Sequence, residues 1–340
     1  MRGMTRKLVA LTALCLTAAL IGLPATHGAA PTHISIMVGG LNKQIYLPNM
    51  LTQQLGYFTE QGLNVTLIDE ASGQSSENEV LAGQVQAGSG SYNHTIELQV
   101  LGKGMMSVVQ LTIAPGEAEM VATKKAGEIK SVRDLKGRNL GITEFGSGTQ
   151  TLTSYLLIKN GIPIDQVHFV PVGAGNTFIA GIQQGRIDAG MTTEPTISRL
   201  LDSGLAKVLV DLRTPEPARA ALGGDYPFIC VFMRTDYVNS HKDVVQRMVN
   251  AYVKTLKWIH AHSAEEITDK MPADYYAGNK ALYVTALKGQ LGMYSPDGKM
   301  PSGGAEFVLG VEQQFNDSVK GKQVDLSKTY DNAFAAKASM

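Results

Sequence analysis

Three short polar runs in this 340-residue chain have the composition of a site that holds a small solute. Gly146-Ser147-Gly148-Thr149 joins two glycines, which let a ligand approach the main chain, to two hydroxyls. At the opening of a helix such a run offers unpaired N–H groups and partial positive charge to an oxyanion. The same residues suit a plain helix cap, so both readings stand. Ser91-Tyr92-Asn93 and Thr192-Thr193-Glu194 are the other two runs. Glu194 either matches the dipole of a helix begun at Pro195 or accepts an N–H from a ligand amine or ring. Asn42 and Gln44 flank Lys43 in the first strand–helix loop; Lys43 can attract an anion, although a solvated surface lysine is the commoner case. Asn176, after Gly173-Ala174-Gly175, and Tyr226 complete the candidate ligand contacts.

Other chemistry is missing. The chain has no Gly-x-Ser-x-Gly, Ser-x-x-Lys, Walker or Gly-x-Gly-x-x-Gly pattern, so no catalytic residue or cofactor is assigned. His260 and His262 point to different sides of a helix, and no His-x-x-x-His occurs, so no metal site is assigned. Thirty basic residues balance thirty acidic ones, which removes the electrostatic support for a nucleic-acid partner. Aromatic residues are 6% of the chain, too few to argue for an aromatic cage, and Trp258 reads as packing.

The elements that must position these runs alternate between strand and helix. Strands are expected at 33–38, 64–68, 86–89, 140–143, 167–172, 187–191 and 226–233, with helices between them. Gly73-Gln74-Ser75-Ser76 reads as a loop before a helix at Glu77–Ala82, and Ser240 with Asp243 reads as a capping box. Val245, Val249, Tyr252, Leu256 and Ile259 recur at helical spacing, and the tail from Ala333 reads as frayed. This is an α/β chain with mostly parallel sheets. Leu81–Gly88 is echoed by Ile182–Gly190: in both, a helix stops at glycine and a short strand ends at glycine. Two such units about 100 residues apart suggest two lobes of like topology, with ligands outside the carboxyl ends of their strands.

At the N-terminus, Arg2, Arg6 and Lys7 precede the apolar run Leu8–Leu23, which Pro24 and small residues follow. This is the pattern of a cleaved secretory leader over residues 1–28, and the run is short for a membrane span. Cys15 lies inside the run without the small residue before it that lipid attachment wants, which leaves Cys230 alone in the mature chain. The expected product is a soluble exported protein.

The chain resembles the NMT1/THI5-like substrate-binding proteins of ABC importers, which include nitrate, taurine, alkanesulfonate and thiamine-precursor binders. The resemblance rests on Pro48 with Gly56–Val65, on Leu81–Gly88, on Asp134–Ile142 with Gly146-Ser147, and on Gly185–Gly190 with Glu194-Pro195. It implies a type II periplasmic-binding-protein fold of two doubly wound lobes joined by a two-segment hinge. Lobe 1 would hold residues 29–115 and 224–340, and lobe 2 residues 116–223. It also implies a non-enzymatic periplasmic receptor, most simply a monomer, that closes on a small-molecule ligand and delivers it to an ABC permease and its ATPase. The first ligand class is an oxyanion-bearing solute such as an alkanesulfonate, taurine or nitrate, held by Ser147 and Thr149. A pyrimidine thiamine precursor, met by Tyr92 and Glu194, is the second. The family's enzymatic relatives build a thiamine pyrimidine with their own histidine and carry a cysteine-rich motif that this chain lacks. An exported α/β enzyme and a sensor subunit are the rival classes.

Overall fold

The expected alternation of strand and helix resolves into two five-stranded sheets. The computed structural model describes residues 31–276 and 278–338; the leader expected at 1–28 lies outside them. In chain order the strands are β1 (Thr32–Val38), β2 (Leu63–Asp69), β3 (Ala87–Ser91), β4 (Met105–Gln110), β5 (Glu117–Ala122), β6 (Asn139–Ile142), β7 (His168–Pro171), β8 (Ala189–Thr193), β9 (Ala206–Leu212) and β10 (Ile229–Arg234). The first sheet runs β2-β1-β3-β10-β4 and the second β7-β6-β8-β5-β9. In each, the first three strands are parallel and the fourth is antiparallel to both its neighbours. That fourth strand, β10 or β5, is the one the chain enters after crossing from the other sheet. The crossings span 111–116 and 213–228, so two segments join two topologically equivalent α/β lobes.

The glycine echo has a packing reason. A Cβ on Gly190 of β8 would lie 2.5 Å from the Gly141 carbonyl oxygen of β6, so only glycine lets those strands close. Two of the three polar runs begin at strands that are buried throughout: β3 is Ala-Gly-Ser-Gly-Ser and β8 is Ala-Gly-Met-Thr-Thr.

The helix Lys242–Ala261 lays Val245, Val249, Tyr252, Leu256 and Ile259 into the core, each at most 2% exposed. Burial of one such side chain contributes about 1.5–3 kcal/mol. This follows the expected spacing, but several boundaries differ. The segment 73–76 is the first turn of the helix Gly73–Leu81, because Ser72 caps it by accepting from the Ser75 N–H at 3.2 Å. Ser240 makes no capping box: Thr235–Ser240 is itself a helix, and the Ser240 hydroxyl donates back to the Asp236 carbonyl at 2.7 Å. The tail is not frayed, since Phe334 and Ala335 are buried and the Phe334 carbonyl accepts from Gln246 at 2.9 Å. Strands β4, β5 and β9 were not expected at all. Among the described residues no helix is long and apolar enough to cross a membrane.

Candidate functional site

The carboxyl ends of β1, β3, β6 and β8 converge with both crossing segments on one small cavity of about 20 Å³, room for about one water molecule. Lys43, Tyr46, Ser72 and Ser91 line it from the first sheet's side. Thr143, Ser147, Gly148, Thr149 and Thr193 line it from the second, with Glu117 at the start of β5 and Phe228 at the end of the second crossing. A wider space of about 290 Å³ adjoins it, with Lys43 on the wall of both.

The helix Gly148–Lys159 opens onto the cavity. Ser147 stands at its N-cap but makes no capping bond. Its hydroxyl turns back to the Glu144 carbonyl at 2.6 Å, and Thr149 Oγ1 accepts from the Thr143 N–H at 2.9 Å. The two hydroxyls lie 2.8 Å apart. With no side-chain cap, the first amides of this helix keep the partial positive charge that favours an anion. A Cβ on Gly148 would lie 2.4 Å from the Phe228 ring, so glycine is what lets the walls meet here.

At the end of β3, Ser91 Oγ lies 3.1 Å from His94 Nε2, and His94 Nδ1 lies 3.0 Å from Glu77 Oε2. Burial alone disfavours a charged His94. Glu77, with Glu97 and Glu312 beyond it, outweighs that and raises the imidazole from 6.5 to about 9. At neutral pH His94 is therefore an imidazolium, which carries a proton on both nitrogens. Ser91 accepts from it, which leaves the Ser91 hydroxyl proton for the cavity. The order Ser–His–carboxylate is that of a hydrolase, but an imidazole already protonated cannot take the serine's proton.

At the end of β8, Thr193 reaches the cavity and Glu194 does not. Glu194 is fully buried; Oε2 accepts from the Ser198 N–H at 2.9 Å, and Oε1 from the Ser198 hydroxyl at 3.0 Å and Arg213 at 3.2 Å. Burial raises its pKa even so. Of the two roles open in the sequence, the carboxylate here serves its own helix, Thr196–Asp202.

Lys43 is buried, and its ammonium donates to the Gly39 and Ala71 carbonyls at 2.7 and 2.8 Å. Desolvation lowers its pKa to about 8, against the pull of Glu117, Asp69 and Glu144. It is thus not the solvated surface residue that its type suggests. Two polar ties hold the walls together. The Gln44 N–H donates to the Glu194 carbonyl at 3.0 Å, and Glu144 Oε2 accepts from the Ser72 hydroxyl and, at 2.8 Å, from that of Ser75.

The structure thus brings Ser91, Ser147, Gly148, Thr149 and Thr193 to the cavity and Asn42 to the adjoining space. It places the other candidates elsewhere. Gln44 spends its side chain on the Tyr283 carbonyl and Gln290. Tyr92 points into the core, where its hydroxyl meets Thr329. Asn93 bonds Glu97, exposed Asn176 accepts from Arg199, and Tyr226 packs against Phe228 and Phe307. Each follows the right strand, but a turn residue one position on points to the other side. Tyr46, Ser72, His94, Glu117, Glu144 and Phe228 were missed. Only the Ser91-x-x-His94 spacing gave any warning. Among the described residues no cluster suited to a metal ion is present.

The NMT1/THI5 like family model matches residues 45–266. The chain belongs to that family. A solved protein of Bordetella bronchiseptica RB50 is 32% identical and superposes with a TM-score of 0.85 over 90% of this chain and 96% of its own. The alkanesulfonate-binding protein SsuA of Xanthomonas axonopodis pv. citri, solved with MOPS bound, is 16% identical with a TM-score of 0.70, covering 89% of this chain and 99% of its own. At that identity it shows the fold alone, the two-lobed periplasmic-binding-protein fold. A Saccharomyces cerevisiae relative named 4-amino-5-hydroxymethyl-2-methylpyrimidine phosphate synthase THI13 is 29% identical over 164 residues, 48% of this chain and 46% of its own. The chain thus spans about half the length of the curated relatives it matches first.

Proposed function

We propose that the protein is the solute-binding protein of an ABC importer: exported to the periplasm, it captures a small polar organic solute by closure of the two lobes and presents it to a permease and its ATPase. The observation that carries this reading is the convergence of strand ends from both sheets on one cavity with an uncapped helix start. An oxyanion of the solute would meet the first amides of the helix Gly148–Lys159, with Ser91 and Ser147 beside it. In the closed arrangement the cavity holds about one water molecule, so the solute enters only when the walls part. Ligand touching both walls then shifts the population toward closure.

The enzyme named for the yeast relatives gives a second reading, a pyrimidine as substrate or cargo. The discriminating experiment is a thermal-shift screen of sulfonates, nitrate and pyrimidines with product analysis. A bound compound at about 100 times its dissociation constant adds about 2.7 kcal/mol of stability and is recovered unchanged. A compound that is consumed, or a panel that never moves the melting temperature, overturns the reading.

A further inference from the structure

Glu117 opens β5, is 2% exposed and lines the cavity, and its carboxyl oxygen Oε2 finds no hydrogen-bond partner among the described residues. A buried acceptor left unmade costs free energy and calls for an explanation. Lys43, on the other side of the cavity, acts on Glu117 through space but forms no hydrogen bond with it; its ammonium donates to the Gly39 and Ala71 carbonyls. Two residues along the same strand, Glu119 is just as buried; its Oε2 accepts from the Thr153 hydroxyl at 2.8 Å, and its Oε1 is likewise without a partner among the described residues. Glu117 differs in lining the cavity, where a donor carried by a solute can meet it.

The adjoining space has the matching charge. Asp69, Glu70 and Asp274 line it, with Arg199 and Lys43 as the cations. Three carboxyl groups there outnumber two basic groups, which favours a solute that carries positive charge or N–H groups over a bare oxyanion. Burial raises the Glu117 pKa well above the usual carboxylate value, so Glu117 acts by hydrogen bonding rather than by charge. The uncapped helix start lies on another wall of the same cavity, so an acceptor end and an N–H end of one small molecule each find a partner.

We propose that Glu117 accepts an N–H of the solute, so that the cleft selects amino-bearing solutes, an aminosulfonate or an aminopyrimidine, over their amino-free counterparts. The inference rests on the solute-binding reading above and names the solute's chemistry.

Two matched pairs test it by titration calorimetry. Taurine and ethanesulfonate differ by one amino group; so do 4-amino-5-hydroxymethyl-2-methylpyrimidine and its counterpart without the 4-amino group. In at least one pair the amino-bearing member should bind tenfold or more tightly, and which pair does so identifies the source. Glu117→Gln should abolish that preference, whereas Glu119→Gln should keep it. Glu117→Asp, which keeps a shortened carboxylate, should retain part of it, and melting curves of all three variants show that each is folded. Equal binding within the pairs, or a preference that survives in folded Glu117→Gln, overturns the role of Glu117 while leaving the receptor intact. No binding of any of the four compounds overturns both readings.

Discussion

The ends of β3 and β8 occupy equivalent places in two equivalent sheets, and each backs its cavity hydroxyl with a buried charge of opposite sign. Behind Ser91 stands the imidazolium of His94, enclosed by Glu77, Glu97 and Glu312. Behind Thr193 stands the carboxylate of Glu194, tied to Ser198 and Arg213. The β3 cluster is sealed, with His94 fully buried, whereas the guanidinium that pairs with Glu194 is 22% exposed. A repeated topology therefore sets where the cavity walls stand, and the chemistry behind each wall is chosen separately.

The largest effect should come from removing the sealed charge. His94→Leu leaves Glu77 buried without its cation and should cost about 3–5 kcal/mol by urea unfolding. Glu194→Gln keeps an acceptor for the Ser198 amide and leaves a half-exposed arginine, and should cost about 1–2 kcal/mol. Equal losses at the two sites would break the contrast between them.

The pH dependence should be the next largest effect. His94 is raised from 6.5 to about 9, and Glu312 from 4.5 to about 8, chiefly by burial. Both groups hold their protons more tightly folded than unfolded. Their contribution is thus complete below the unfolded values and is lost as pH rises through the folded ones. Unfolding free energy should fall between about pH 4.5 and 9, and His94→Leu should flatten the part of that fall between about 6.5 and 9. His94 is faced by Glu77, Glu97, Glu312 and Asn93. An unchanged slope in the variant would mean that the imidazole is neutral, which would reopen Ser91 to base activation.

The smallest effect concerns the two hydroxyls. Ser91 is oriented by His94, whereas Thr193 Oγ1 has only a 3.4 Å contact with the Glu194 carbonyl. Ser91→Ala should weaken solute binding by about tenfold, and Thr193→Val by less than about threefold, as judged by calorimetry with the tightest compound of the screen.

Much of the fold was legible in local pattern. The helical spacing from Val245 to Ile259, the glycine echo and the strand–helix alternation report local geometry and burial, which sequence encodes directly. The strands missed lie in or beside the crossings. β5 reads Glu-Ala-Glu-Met-Val-Ala, and its two carboxylates look like a solvated surface unless both neighbouring strands are known. The polar runs located the cavity to within a residue or two. They did not show which side chains face it, since Ser91 and Tyr92, or Thr193 and Glu194, point apart at the same turn.

By itself the amino-acid sequence determined two α/β units, glycine-closed turns and a hydroxyl-rich loop at a helix start, because those depend on residues near one another in the chain. Only the tertiary structure decided that Lys43 is buried, that His94 is charged and that Glu117 has an unpartnered oxygen on the cavity wall. Each of those states depends on how much water and which partner a group meets, and partners can be remote in the chain, as Glu312 is, 218 positions from His94; at Glu117 both neighbouring strands must be assembled around β5 before its carboxyl group is cut off from solvent.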